Sequence, residues 1–132
     1  MNKNIQLDFD FYEKNYYRSL KALKDNNPGT DILVIGVSDM TKTDGTDLVS
    51  WPNIKDIRDA QRRAAFKAGC AFWDMYEAMG GENSMTAWVS ADPSLAEKDY
   101  THFNYRGARI IGEMIFNALM SDYYAYKSKT VN

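Results

Sequence analysis

Apolar side chains recur at three- and four-residue steps in three stretches of this chain, and each stretch carries its own start or stop signal. Phe9, Tyr12, Tyr16, Leu20 and Leu23 fall on one side of a helical wheel, with Asp10 and Glu13 spaced like a capping box. The spacing predicts a helix that stops at Asn26-Asn27-Pro28-Gly29. Pro52 opens a second predicted helix, with Ile54, Ile57, Ala60, Ala64 and Ala68 on one side and Gly69 where a left-handed cap is wanted. A third starts near Tyr105, behind Asn104 as its cap, and places Ile110, Ile111, Met114, Ile115, Ala118 and Leu119 on one packing face.

Two apolar runs are continuous instead of periodic. Ile32 to Val37 reads as a strand buried on both faces, as in a parallel sheet, and Cys70 to Trp73 reads as a second, shorter strand. Strand, helix and strand within about forty residues form a right-handed crossover, the repeating element of a doubly wound α/β sheet. Asp39 to Asn53, rich in Thr, Asp, Lys and Gly, predicts a long loop. Met75 to Met79 predicts a short helix, followed by a Gly80-Gly81 break and an irregular stretch to Lys98. No repeat or low-complexity linker interrupts residues 1–132, which read as one domain or part of one.

Composition narrows the function classes. The chain is 45% hydrophobic and 26% charged, which excludes a disordered tail, and its net charge of −2 supplies no broad basic surface for nucleic acid. Cys70 is the only cysteine, so neither an internal disulfide nor a cysteine-rich zinc site is expected, and its apolar context predicts a buried, inert thiol. No apolar stretch is long enough to span a bilayer, and Met1 to Gln6 lacks the apolar core of a signal peptide.

The candidate chemistry lies in Asp99-Tyr100-Thr101-His102-Phe103-Asn104, where the only histidine follows a carboxylate by three residues. A carboxylate on one imidazole nitrogen fixes the tautomer and stabilises the imidazolium, which frees the other nitrogen to deprotonate a hydroxyl nucleophile. The structural alternative is a histidine that caps a helix or packs on aromatic neighbours. Asp39 and Asp74 each follow a predicted strand, and with Asp99 they define an alternative metal or phosphate-acceptor site, although one histidine without ligand spacing argues against it. Among the tryptophans, Trp73 belongs to a core strand, whereas Trp88, in the irregular stretch, is the candidate wall of a substrate cleft. Gly80 to Ser84 lacks the lysine of a phosphate loop, and neither Ser38 nor Ser84 sits in a strand-to-helix elbow suited to a nucleophile.

The block from Leu95 to Ala108, with the helix after it, resembles the last conserved block of the SGNH/GDSL hydrolases, in which the Asp and His of a Ser-His-Asp triad share one Asp-x-x-His motif. Ile32 to Asp39 and Ala71 to Gly81 are similar to bacterial members as well. The resemblance implies a three-layer α/β/α fold around a flavodoxin-like parallel sheet. It implies that Asp99 and His102 are catalytic, that the substrate is an acyl or acetyl ester, and that no cofactor is needed. The family's Gly-Asp-Ser nucleophile block and Gly-x-Asn-Asp oxyanion block are absent from these residues. The chain is therefore expected to match the carboxyl-terminal part of such an enzyme, without its amino-terminal strands and inactive alone. An incomplete sheet edge would then be available to a partner segment. The family also implies a periplasmic or secreted setting. The competing class is a non-catalytic interaction module.

Overall fold

Asp8, not Asp10, starts the first helix: its side chain accepts a hydrogen bond from the Phe11 amide at 3.0 Å, and Asp10 lies in the first turn. The computed structural model describes residues 8–130. In chain order the elements are α1 (Phe9–Asn26), β1 (Leu33–Ile35), β2 (Thr41–Asp44), β3 (Asp47–Ser50), α2 (Ile54–Lys67), β4 (Ala71–Trp73), α3 (Met75–Met79), α4 (Ser84–Ser90) and α5 (Tyr105–Lys129). They form two compact units: the described part of Met1–Val37 with Pro52–Tyr76, and Ser38–Trp51 with the described part of Glu77–Asn132.

The first unit is a mixed α/β arrangement around a small parallel sheet. Strands β1 and β4 pair in parallel with Val34 opposite Phe72, and α2 lies between them in sequence, as the crossover pattern predicts. The core joins Leu20 of α1, Val34 of β1, Ala65 of α2 and Cys70, so the cysteine is buried as its context suggested. Each large apolar side chain removed from water there contributes about 1.5–3 kcal/mol. Fully buried Ala60, Ala64 and Ala65 give α2 a small-residue face that other elements can approach closely. Gln61 is buried among them because both ends of its amide are satisfied: Oε1 accepts from the Val37 amide and Nε2 donates to the Tyr12 hydroxyl, each at 3.0 Å. Gly69 takes the left-handed conformation (φ 72°) beyond α2, and Lys24 Nζ donates to its carbonyl at 2.8 Å.

One expectation for this unit needs correction. The strand predicted over Ile32 to Val37 spans only Leu33–Ile35, and it is not covered on both faces. Val34 is buried on the face that packs against Leu20 and Ala65, but Leu33 and Ile35, which alternate onto the opposite face, are 37% and 45% exposed.

The second unit holds the larger departures. Asp39 to Asn53 is not a long loop: Thr41–Asp44 and Asp47–Ser50 form an antiparallel hairpin with Thr43 opposite Leu48. Gly45 turns it with φ 64°, at the first central position that a type II′ turn reserves for glycine. Nor is the stretch from Gly81 to Lys98 irregular throughout, since α4 occupies its first half. No side chain next to α4 caps it; instead Asp39, 46 residues earlier and fully buried, accepts from the Met85 amide at 2.9 Å. The last helix begins where predicted, with Asn104 Oδ1 accepting from the Gly107 amide at 3.0 Å. Its packing face is shorter than predicted. Gly107 and Ile111 are buried, whereas Leu119 and Phe116 stand exposed among the described residues.

Candidate active site

The Asp99–His102 loop is fixed at both ends within the second unit. Ala96 and Phe103 form an antiparallel bridge, the Glu97 amide donates to the His102 carbonyl at 2.8 Å, and the Asn104 amide donates to the Leu95 carbonyl at 3.2 Å. Asn104 does double duty: its oxygen caps α5 and its Nδ2 donates to the Ser94 carbonyl at 2.7 Å. Tyr100 turns the chain in the left-handed region (φ 56°), a conformation that costs a non-glycine residue about 1–2 kcal/mol. The turn is held by Asp99, whose Oδ1 accepts from the Thr101 and His102 amides, both at 3.0 Å.

That local geometry aims the second carboxylate oxygen at the imidazole. His102 Nδ1 lies 2.6 Å from Asp99 Oδ2. An ionised carboxylate only accepts, so in the neutral ring the proton sits on Nδ1, and Nε2 carries the lone pair. Nε2 makes no hydrogen bond with the described residues, and the imidazole is 74% exposed. The arrangement is an oriented base with its accepting nitrogen open to a reactant.

The hydrogen bond from His102, aided by the two backbone amides, lowers the Asp99 pKa to about 2. Because the shift is downward, the stability contributed by the ionised, loop-holding form is full above the ordinary carboxylate range and is lost as pH falls through about 2. Carboxyl-carbon NMR titration should place the Asp99 midpoint well below that of an unstructured aspartate. In His102→Ala it should rise part of the way back, since the largest contribution is removed while the amides remain.

The other candidate residues occupy different surroundings. Trp88, expected at a cleft wall in irregular chain, lies in α4 and is buried. Its indole Nε1 donates to the Met79 carbonyl at 2.9 Å and its ring packs on Phe103, 5.3 Å between centroids. It therefore buttresses the residue after His102, because a large amphipathic ring is stable only where its N–H finds a partner. Asp74 faces the Arg58 guanidinium at 3.0 Å in the first unit, and Asp39 caps α4 in the second. Among the described residues no three histidine, cysteine, aspartate or glutamate side chains group as metal ligands, and no helix is long and apolar enough to cross a membrane. Sequence reasoning missed the part of Gly107, whose missing side chain lets α5 lie against the Leu95 carbonyl. The only available signal was a glycine in the first turn of a predicted helix.

Neither a family model nor a curated protein matches the chain. Among solved structures, a peptidoglycan O-acetylesterase is similar to it, with a TM-score of 0.82 and 28% identity over 92% of this chain. The aligned region is 35% of that protein, so this chain spans about a third of the length of the structure it matches. The likeness, with the observed mixed α/β architecture and its small parallel sheet, supports part of a hydrolase-like, esterase-type fold.

Proposed function

We propose that this chain is the acid- and base-bearing part of an SGNH/GDSL-type ester hydrolase, with Asp99 and His102 as two members of a Ser-His-Asp triad. The observation that carries the reading is the 2.6 Å Asp99–His102 contact with Nε2 left open, on a fold similar to that of an O-acetylesterase. In the proposed reaction a serine hydroxyl attacks the carbonyl carbon of an acetyl or acyl ester while its proton passes to His102 Nε2. Asp99 balances the imidazolium. As the tetrahedral centre collapses, the ester C–O bond breaks and His102 returns the proton to the departing alkoxide. Water then attacks the acyl-serine and gives its proton to His102; as this second tetrahedral centre collapses the serine ester C–O bond breaks, His102 returns the proton to the serine oxygen, and the acid is released. No redox or metal step is required for this balance.

No Gly-Asp-Ser or Gly-x-Asn-Asp occurs in the 132 residues, so in this proposal the nucleophile and oxyanion donors come from a separate segment. The exposed Leu33 and Ile35 and the edge of β1 that pairs with no described strand support a polypeptide neighbour that covers and extends the sheet. A peptidoglycan or other carbohydrate O-acetyl ester is the substrate class that the likeness to a peptidoglycan O-acetylesterase favours.

The 132-residue chain alone should hydrolyse p-nitrophenyl acetate no faster than its His102→Ala variant. Joining it to an amino-terminal segment that carries the missing blocks should restore a histidine-dependent rate. A histidine-dependent rate from the chain alone, with a fluorophosphonate probe attached to one of its serines, would overturn the assignment of the nucleophile to a separate segment.

A further inference from the structure

Helix α5 outruns the unit that it belongs to. Only Gly107 and Ile111 of its 25 residues are buried, and every residue from Ser121 to Thr130 is exposed. The apolar side chains of this outer part keep a strict order. Gly112, Phe116, Leu119, Tyr123 and Tyr126 follow one another at steps of four, three, four and three, the spacing of alternating d and a positions in a heptad repeat. At 3.6 residues per turn the stripe lies about a third of a turn round the helix from the buried face of Gly107 and Ile111. Phe116, Leu119, Tyr123 and Tyr126 are 61%, 51%, 48% and 65% exposed. A Cβ added at Gly112 would meet nothing within 4 Å, so a second helix has room to approach there. Arg109, held to Glu113 at 3.0 Å, ends the stripe toward the amino terminus. Two such stripes face to face would cover roughly 900 Å² of side chain, which the flanking residues raise to the ~1,000 Å² of a specific interface.

The charges beside the stripe select its occupant. With Gly112 and Leu119 at d, Asp122 falls at g and Lys127 at e. In a parallel pair, g of one helix faces e of the other five residues on, so Asp122 meets Lys127 of the second copy, and two-fold symmetry makes the contact twice. Ile115 and Met120 stand in the same g-to-e relation one heptad earlier and add an apolar contact. An antiparallel pair over the same stripe would instead set Asp122 against Asp122. Within its own chain Asp122 has no ion-pair partner among the described residues. Lys127 lies along the stripe, its Nζ 5.5 Å from the centroid of the Tyr123 ring. We infer that α5 is a dimerisation helix, through which two copies of this chain associate in parallel along Phe116 to Tyr126. The inference stands apart from the ester-hydrolase reading. Two heptads support a reversible dimer, not an obligate one.

Sedimentation equilibrium of the chain at low salt should show a monomer–dimer equilibrium with a Kd on the order of 10–100 µM. Leu119→Asp should keep the chain monomeric at about ten times that concentration, with an unchanged melting temperature in dilute solution, since the side chain is half exposed. Asp122→Lys and Lys127→Asp should each weaken the dimer by about fivefold or more, because each sets like charges together. Combining the two should restore the parent affinity to within about twofold, a recovery that only the parallel pairing gives. Tyr126→Cys should cross-link two copies on oxidation, because a d position faces its own equivalent in a parallel pair. A chain still monomeric at about 500 µM, a Leu119→Asp variant that dimerises like the parent, or a double exchange no better than its single changes would each overturn the inference. So would protection of the stripe only after an amino-terminal segment is joined to the chain, which would assign α5 to that segment.

Discussion

Substituting His102 by alanine should lower kcat by about ten-thousandfold in a complemented enzyme that joins this chain to a serine-bearing segment, with KM changed little. The loss is large because Nε2 is the proposed acceptor of the hydroxyl proton, and no other described side chain is oriented by a carboxylate in this way. Asp99→Asn should be nearly as severe. An amide can offer its N–H₂ to Nδ1, which would turn the ring to the wrong tautomer, and it cannot balance an imidazolium. Asp74→Asn weakens the pair with Arg58, and Asp39→Asn the cap on α4, so both should retain most of the turnover per folded molecule. Steady-state kinetics on the four variants, with folding checked by circular dichroism, decides the matter. If chelator abolished activity, or Asp39→Asn matched His102→Ala in a folded protein, a metal site would displace the triad.

Gly107→Ala should destabilise the chain by about 2–4 kcal/mol, a shift on the order of 10 °C in melting temperature. A Cβ there would overlap the Leu95 carbonyl oxygen and lie 2.9 Å from its carbon, and Trp88 blocks retreat at 3.4 Å. Leu95 cannot yield easily: its amide donates to the Trp88 carbonyl at 2.9 Å and its own carbonyl accepts from Asn104. The backbone that must move is the backbone that frames His102, so turnover should fall with stability. Gly112→Ala is the control. Nothing lies within 4 Å of a Cβ added at Gly112 on the same helix, and the substitution should stabilise by about 0.5–1 kcal/mol through helix propensity. Thermal denaturation of the two variants side by side measures the difference, and equal melting temperatures would refute the close-packing argument.

What the sequence by itself determined is what short-range physics controls. Helices α1, α2 and α5 were legible because their apolar period and their stop or cap residues, Asn27-Pro28-Gly29, Gly69 and Asn104, are written locally. The parallel pairing of β1 and β4 was legible from two apolar runs flanking a helix. The pairing of Asp99 with His102 was legible too, since a three-residue turn closed by a carboxylate on its own amides needs no distant partner. Tertiary structure decided the rest. Helix α4 escaped notice because its Met85 amide is satisfied by Asp39, 46 residues away, and the hairpin escaped because one glycine turn had to outweigh a polar, loop-like composition. Trp88 is buried and not a cleft wall because Met79 and Phe103 receive its two ends, a fact that no local spacing records. Burial and long-range hydrogen bonds depend on which segments meet, and that is a property of the folded chain, not of any window along it.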